Sequence, residues 1–258
     1  MIMDANESLT QTATEKKKRS IVRMLDPYER LILGGLLLVV LCSWAFISLS
    51  ADVMRGQTQS VDERILLALR TNGDPTDPIG SEVWEDIGRD ITALGGYAFL
   101  ILLLFGVSGY LFLARKREMG WFLIAAVVSG FIMTMTLKSV FQRPRPDVVT
   151  HISYVATSSF PSGHSMMSMV VFLTMGALLA RISKRRRLKI YCMTVAVVLS
   201  LLVGCSRVYV GVHYPTDVLA GWSAGVVWAT MACLIASWLE RKGVIGLHEP
   251  VKSGDEAT

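Results

Sequence analysis

Six stretches of this 258-residue chain, 31–51, 91–114, 119–137, 165–180, 190–206 and 218–239, contain no Asp, Glu, Lys, Arg or His. A helix needs about 20 apolar residues to cross a bilayer. Inside hydrocarbon, only helices and closed barrels satisfy every backbone N–H and C=O. Barrel strands alternate polar and apolar side chains, and these runs do not, so each is predicted to be a helix. The fourth and fifth runs are short, at 16 and 17 residues. Both have polar residues at one end, which predicts that those helices continue into a polar pocket. The expected fold is all-α: a polytopic membrane protein with six transmembrane helices bundled around that pocket.

Charged residues make up 18% of the chain, against about 25% in ordinary soluble domains. Intrinsic disorder is excluded by the apolar content. A disulfide scaffold is excluded because Cys42, Cys192, Cys205 and Cys233 all lie in apolar runs, as reduced core cysteines do. The net charge of +5 comes in short clusters between the runs, so no continuous basic surface for nucleic acid is expected. The first run is longer than the 7–15 residues of a signal-peptide core and is expected to be a true span. Eighteen Lys and Arg fall in the N-terminal tail, the loops after spans two and four, and the C-terminal tail, against eight on the other side. By the positive-inside rule both termini face the cytoplasm.

The expected organisation is a cytoplasmic tail (1–30), a membrane domain (31–240) and a cytoplasmic tail (241–258), both tails being disordered. Residues 52–90 form the longest non-spanning segment between spans. Within it, 59–70 places Val61, Ile65, Leu66, Ala68 and Leu69 on one helical face, opposite Asp62, Glu63 and Arg64. This predicts either an interfacial helix guarding lateral lipid entry or a helix that packs on the end of the bundle. A turn is expected over 71–75.

Span parity puts three polar segments on one face of the membrane: 138–146, 160–165 and 206–217. Lys138, Arg145 and Arg207 are cations suited to a phosphoryl group, the arginines through a bidentate fork. Lys138 and Arg145 are seven residues apart, which is two helical turns, unless Pro144 bends the register. Ser162 is an expected N-cap, and Gly163 and His164 open a helix whose N–H groups suit an anion. His213 and Asp217 are spaced i, i+4, with Pro215 suited to the first turn of span six. A carboxylate there can hold one imidazole N–H and leave the other nitrogen free as nucleophile or base.

Each feature alone has a plainer reading. Lys138 and Arg207 are compatible with snorkelling at the interface, and Pro161-Ser162-Gly163-His164 with a turn and helix cap. His213 with Asp217 is compatible with a structural hydrogen bond or half a metal site. Their convergence on one membrane face favours function, because polar groups at membrane depth are costly.

The three segments resemble the tripartite signature of the type 2 phosphatidic acid phosphatase family, which shares its site with vanadium haloperoxidases. Lys-x6-Arg-Pro matches Lys138, Arg145 and Pro146; Pro-Ser-Gly-His matches Pro161 to His164; Ser-Arg-x5-His-x3-Asp matches Ser206, Arg207, His213 and Asp217. No signature position departs, and the resemblance is close over residues 91–240. It implies a metal-independent lipid phosphatase without cofactor, acting on a lipid phosphate or pyrophosphate. By position, His213 would attack phosphorus and form a phosphohistidine, Asp217 would orient it, and His164 would protonate the leaving oxygen. Lys138, Arg145, Ser162, Gly163 and Arg207 would hold the phosphoryl oxygens. Arg143, Asp147, His151 and Tyr209 receive no role.

Phosphatidylglycerophosphate, lipid A, undecaprenyl pyrophosphate and a lipid acceptor for phosphotransfer all fit such a site, since chain specificity lies in pocket shape. Six spans argue against a haloperoxidase. The intact His164, His213 and Asp217 argue against a silent lipid binder or transporter. The short loops resemble bacterial members, which implies an inner-membrane enzyme with a periplasmic active site. Met166, Met167, Met169 and Met175 are expected to pack rather than bind metal, and Gly221 with Gly225 to allow close helix contact.

Overall fold

The computed structural model describes residues 26–71, 74–149 and 158–244. It contains eight described helices: α1 (Pro27–Met54), α2 (Gln59–Ala68), α3 (Glu82–Ala93), α4 (Tyr97–Leu113), α5 (Arg117–Phe141), α6 (Gly163–Ile182), α7 (Arg186–Tyr209) and α8 (Pro215–Arg241). Between α2 and α3, β1 (Arg70–Thr71) and β2 (Asp74–Pro78) pair antiparallel. Of the turn expected over 71–75, Asn72 and Gly73 lie outside the described residues, and Asp74 and Pro75 belong to β2. Both tails expected to be disordered also lie outside them, apart from their membrane-proximal ends.

Five helices (α1, α5, α6, α7 and α8) are long and apolar enough to cross a membrane. The second span, expected over 91–114, differs from expectation. The run from residue 91 does not enter one straight helix: α3 and α4 meet at 49° across a short break. The break holds Gly95, where a Cβ would sit 2.3 Å from Val203 Cγ1 of α7, so only glycine lets the chain turn against that neighbour. Ile91 to Ala93 therefore end a separate amphipathic helix whose Glu85 and Asp86 pair with Arg89.

The two short spans lengthen as expected: α6 begins at the Pro-Ser-Gly-His motif, and α7 runs on through Arg207 to Tyr209. α6 is the central helix, packed against α7 and α8 and also touching α4 and α5. Met167, Met169 and Met175 join the core cluster with Val171 and Phe172, so the methionines are packing residues. α6 and α8 approach backbone to backbone. A Cβ on Gly221 would stand 2.7 Å from the Ser162 carbonyl oxygen, and one on Gly225 2.6 Å from Met169 Cβ. That contact sets the start of α8 beside the start of α6, where the polar motifs are.

α1 contributes little to this core. It packs on α8 and leaves Leu37, Val40, Trp44 and Ile47 exposed. Apolar surface on this scale needs lipid as its solvent. The chain is an integral membrane protein.

Residues 59–68 of the 59–70 segment are helical, and Arg70 opens β1. Leu66 of the expected apolar face is buried and Val61 and Ile65 of that face are exposed, but Asp62, expected on the opposite polar face, is buried as well. Asp62 turns inward because an arginine and a helix start lie beneath it, as described below.

Candidate active site

The motif residues meet at one end of the bundle, held by the ends of α5, α6, α7 and α8. α5 ends at Phe141, with Gln142 in the left-handed region at φ 43°. Lys138 and Arg145 therefore do not share a helical face, contrary to the two-turn register. Lys138 comes from the last turn of α5 and Arg145 from the extended segment beyond it. Lys138 is buried and donates through Nζ to the Ser158 carbonyl at 2.6 Å, while Ser158 Oγ returns a bond of 2.9 Å to the Lys138 carbonyl. Arg145 Nη1 donates to the Val212 carbonyl at 2.7 Å and lies 3.3 Å from His213 Nε2.

Ser162 is the N-cap of α6, as expected, its hydroxyl accepting from Ser165 N at 3.4 Å. Its own N–H donates to the Asp217 carbonyl at 2.9 Å, tying the start of α6 to the start of α8. Gly163 opens α6. A Cβ there would lie 2.8 Å from Tyr97 Oη and 3.1 Å from Lys138 Cε, so any side chain would fill the space between the phenol and the lysine. Pro215 occupies the first turn of α8, and Asp217 Oδ2 reaches back to the Tyr214 N–H at 3.0 Å. Proline needs no hydrogen bond at that position and the carboxylate satisfies an orphan donor, so the sequence itself fixes this helix start.

His213 is buried, with Nδ1 3.5 Å from Asp217 Oδ2 and 3.3 Å from Ser159 Oγ. Ser159 donates its hydroxyl proton to Asp217 Oδ2. Its oxygen is then free to accept Nδ1–H, which assigns the proton to Nδ1 and leaves the lone pair on Nε2, on the Arg145 side. Burial, followed by the charges of Arg207, Arg145 and Lys138, holds the His213 imidazolium well below its ordinary range. At neutral pH the ring is uncharged and Nε2 can act as a nucleophile.

Arg207 is 1% exposed, and its Nε and Nη2 have no hydrogen-bond partner among the described residues. Buried donors are rarely left unmatched. A guanidinium with unmatched Nε and Nη2 could hold an oxyanion there. Ser206 of the same motif turns away from the site and bonds Thr92 Oγ1 of α3 at 2.6 Å.

His164 is half-buried, its ring 6.0 Å from that of Tyr97. Tyr97 also lines a cleft of about 300 Å³ between α4 and α5, with Leu100, Leu104, Val127, Phe131 and Met167 among its walls. The phenol thus has its hydroxyl at the polar site and its ring on an apolar wall.

Three residues escaped the sequence reading. Ser159 precedes the second motif by one residue and carries no signal of its own. Arg143 donates from Nη1 to Asp217 Oδ1 at 2.7 Å and to Thr216 Oγ1 at 2.9 Å, and stacks 4.1 Å above the Tyr214 ring. Its Nη2 donates to Asp62 Oδ2 at 2.9 Å. Asp62 was hidden because periodicity alone assigned it to the polar face. Asp147 is exposed, and His151 lies outside the described residues.

A family model described as the PAP2 superfamily matches residues 119–241. Phosphatidylglycerophosphatase B of Bacillus subtilis (strain 168) is 32% identical over 187 residues, covering 70% of this chain and 86% of its own. The chain belongs to the PAP2 superfamily. A lipid A 1-phosphatase of Rhizobium etli is 29% identical over 174 residues, covering 58% of this chain and 71% of its own. Among solved structures, a transmembrane PAP2-type phosphatidylglycerolphosphate phosphatase from Bacillus subtilis superposes with a TM-score of 0.72 at 29% identity, covering 79% of this chain and 98% of that one. The family expected from the three motifs is the family found, and with it the enzyme class, a lipid phosphatase.

Proposed function

We propose that this membrane lipid phosphatase hydrolyses the terminal phosphate of phosphatidylglycerophosphate through a phosphohistidine. The observation that carries the reading is the buried Arg207, with two unmatched N–H groups, whose charge bears directly on the neutral His213. His213 Nε2 attacks phosphorus, forming a P–N bond as the P–O bond to the lipid breaks. His164 gives its proton to the departing alkoxide. It then takes a proton from water, whose oxygen attacks phosphorus and releases His213. Lys138, Arg145, Arg207, Ser162 and the Gly163 N–H hold the non-bridging oxygens, and stabilising their charge is most of phosphoryl-transfer catalysis. Asp217 and Ser159 keep the His213 proton on Nδ1.

The apolar cleft beside Tyr97 supports a lipid substrate, since it gives an acyl chain a place next to the phosphate. The choice of headgroup follows the Bacillus subtilis relative, which aligns over most of its own length. The Lys and Arg asymmetry supports cytoplasmic termini and an active site on the periplasmic face of a bacterial inner membrane.

The test is phosphate release by detergent-solubilised protein in EDTA, with phosphatidylglycerophosphate, undecaprenyl pyrophosphate and lipid A offered in parallel. The expected result is the highest kcat/KM for phosphatidylglycerophosphate, undiminished by EDTA. A higher value for either alternative would replace the substrate, and release that stops in EDTA would overturn the metal-independent mechanism.

A further inference from the structure

α2 is a short helix that packs against α8, and the one carboxylate it buries is completely enclosed. Asp62 is 0% exposed, and both of its oxygens are used. Oδ1 accepts the Thr216 N–H at 3.1 Å, and Oδ2 accepts Thr216 Oγ1 at 2.6 Å and Arg143 Nη2 at 2.9 Å. Arg143 spends its other terminal nitrogen on Asp217 Oδ1 at 2.7 Å. An unbroken chain of contacts therefore runs from the cap helix to the nucleophile: Asp62, Arg143, Asp217, His213.

The charges along this chain matter more than the count of bonds. One guanidinium lies between two carboxylates, both buried with it. Had Arg143 faced Asp217 alone, the pair would be neutral, and Asp217 would offer little field to a histidine gaining positive charge. Shared with Asp62, the trio carries one net negative charge. Three cations, Lys138, Arg145 and Arg207, face His213 from the other side and oppose that gain. Gln59, one turn before Asp62, accepts a further bond from Arg143 Nη2 at 3.2 Å and adds no charge.

We propose that Asp62 is a positioning residue for the phosphoryl-transfer step: it divides the charge of Arg143 between two carboxylates, so that Asp217 keeps the negative character that supports attack by His213. This rests on His213 being the nucleophile. Asp62 touches neither the substrate nor the reacting atoms. It acts on the rate of attack and leaves substrate binding alone.

The experiment measures phosphoenzyme formation in a single turnover of full-length protein in micelles, with 32P-labelled phosphatidylglycerophosphate. Asp62→Asn keeps the side-chain shape and removes one charge. Phosphoenzyme formation at saturating substrate is expected to fall about tenfold, with half-saturation moving less than about twofold. A merely structural role would lower the folded fraction and leave the surviving molecules at full rate. Arg143→Gln, which loses the central cation, supplies the second variant, together with Arg143→Gln/Asp62→Asn. The double variant returns the cluster from the neutral state of Asp62→Asn to the one net negative charge of the wild type, and is expected to be faster than Asp62→Asn alone, whereas independent structural losses would make it slower. A folded Asp62→Asn at wild-type rate, or a double variant slower than Asp62→Asn, overturns the proposal. His213→Ala in the same series separates the two assignments. A phosphoenzyme in that variant brings down the nucleophile and this proposal together. Its absence, beside an unaffected Asp62→Asn, brings down this proposal alone.

Discussion

The two motif histidines sit near the starts of neighbouring helices and are surrounded in opposite ways. His213 is 1% exposed. Ser159 and Asp217 hold its Nδ1 side, and Asp217 is in turn bonded by Arg143 and the Tyr214 N–H. His164, on the first turn of α6, is half-buried and packs near the Tyr97 ring and the turn at Gly95. One ring is fixed in a saturated network, and the other lies 6.0 Å from Tyr97, a wall of the apolar cleft. A nucleophile must be held at one angle with one tautomer. A proton carrier must meet first a leaving alkoxide and then water, and gains from an approach that stays open. The contrast in packing parallels the division of labour proposed for the two residues.

The most severe break in the comparison is His213→Ala. It is expected to abolish both phosphate release and the acid-labile phosphoenzyme, because no other ring nitrogen replaces Nε2. His164→Ala is expected to retain a phosphoenzyme while steady-state release falls about 10²–10⁴-fold. Acid-quenched labelling of both variants checks the pair. Equal loss of the phosphoenzyme in the two would erase the distinction between nucleophile and acid.

This asymmetry was only partly legible in the sequence. Uninterrupted apolar runs define helices in lipid almost without competition, which is why five spans came out as expected. The second is broken at a turn holding Gly95, which packs against Val203 of α7, a contact that hydropathy does not encode. The second and third motifs were legible because helix starts carry local signals: Ser162 as a cap, Pro215 in a first turn, Asp217 reaching back to the Tyr214 N–H. Asp62 and Arg143 were not. Periodicity treats a charge among apolar neighbours as solvent-facing, and only the tertiary pairing at 2.9 Å reverses that. Ser159, beside a motif and lacking any periodicity, left no trace at all.

On the cation side, Arg207→Lys keeps the charge and removes the fork that offers Nε and Nη2 together. A loss on the order of 10²–10³ in kcat is expected, similar to removal of one oxyanion donor elsewhere. KM is expected to change less, and steady-state kinetics on the lipid substrate checks it. A lysine variant at full rate would mean that charge alone, and not planar geometry, stabilises the phosphoryl oxygens.

The smallest expected effect lies where the polar site and the apolar cleft join. Tyr97 is the one cleft-lining residue whose polar atom reaches Gly163, 2.8 Å from where a Cβ there would stand, and its ring also packs edge-on against Phe131 at 5.4 Å. Tyr97→Phe removes the hydroxyl and keeps the wall. Losing a single neutral hydrogen-bond donor costs about 0.5–1.5 kcal/mol, so a two- to tenfold drop in kcat/KM is expected. The informative comparison is between a long-chain lipid phosphate and a short-chain, water-soluble analogue. If the hydroxyl serves the phosphate, both substrates suffer equally, since both present the same group to Gly163 and Lys138. If the phenol instead orients the chain entering the cleft, only the long-chain substrate suffers. In that case the open side of the site begins at Tyr97 and not at His164.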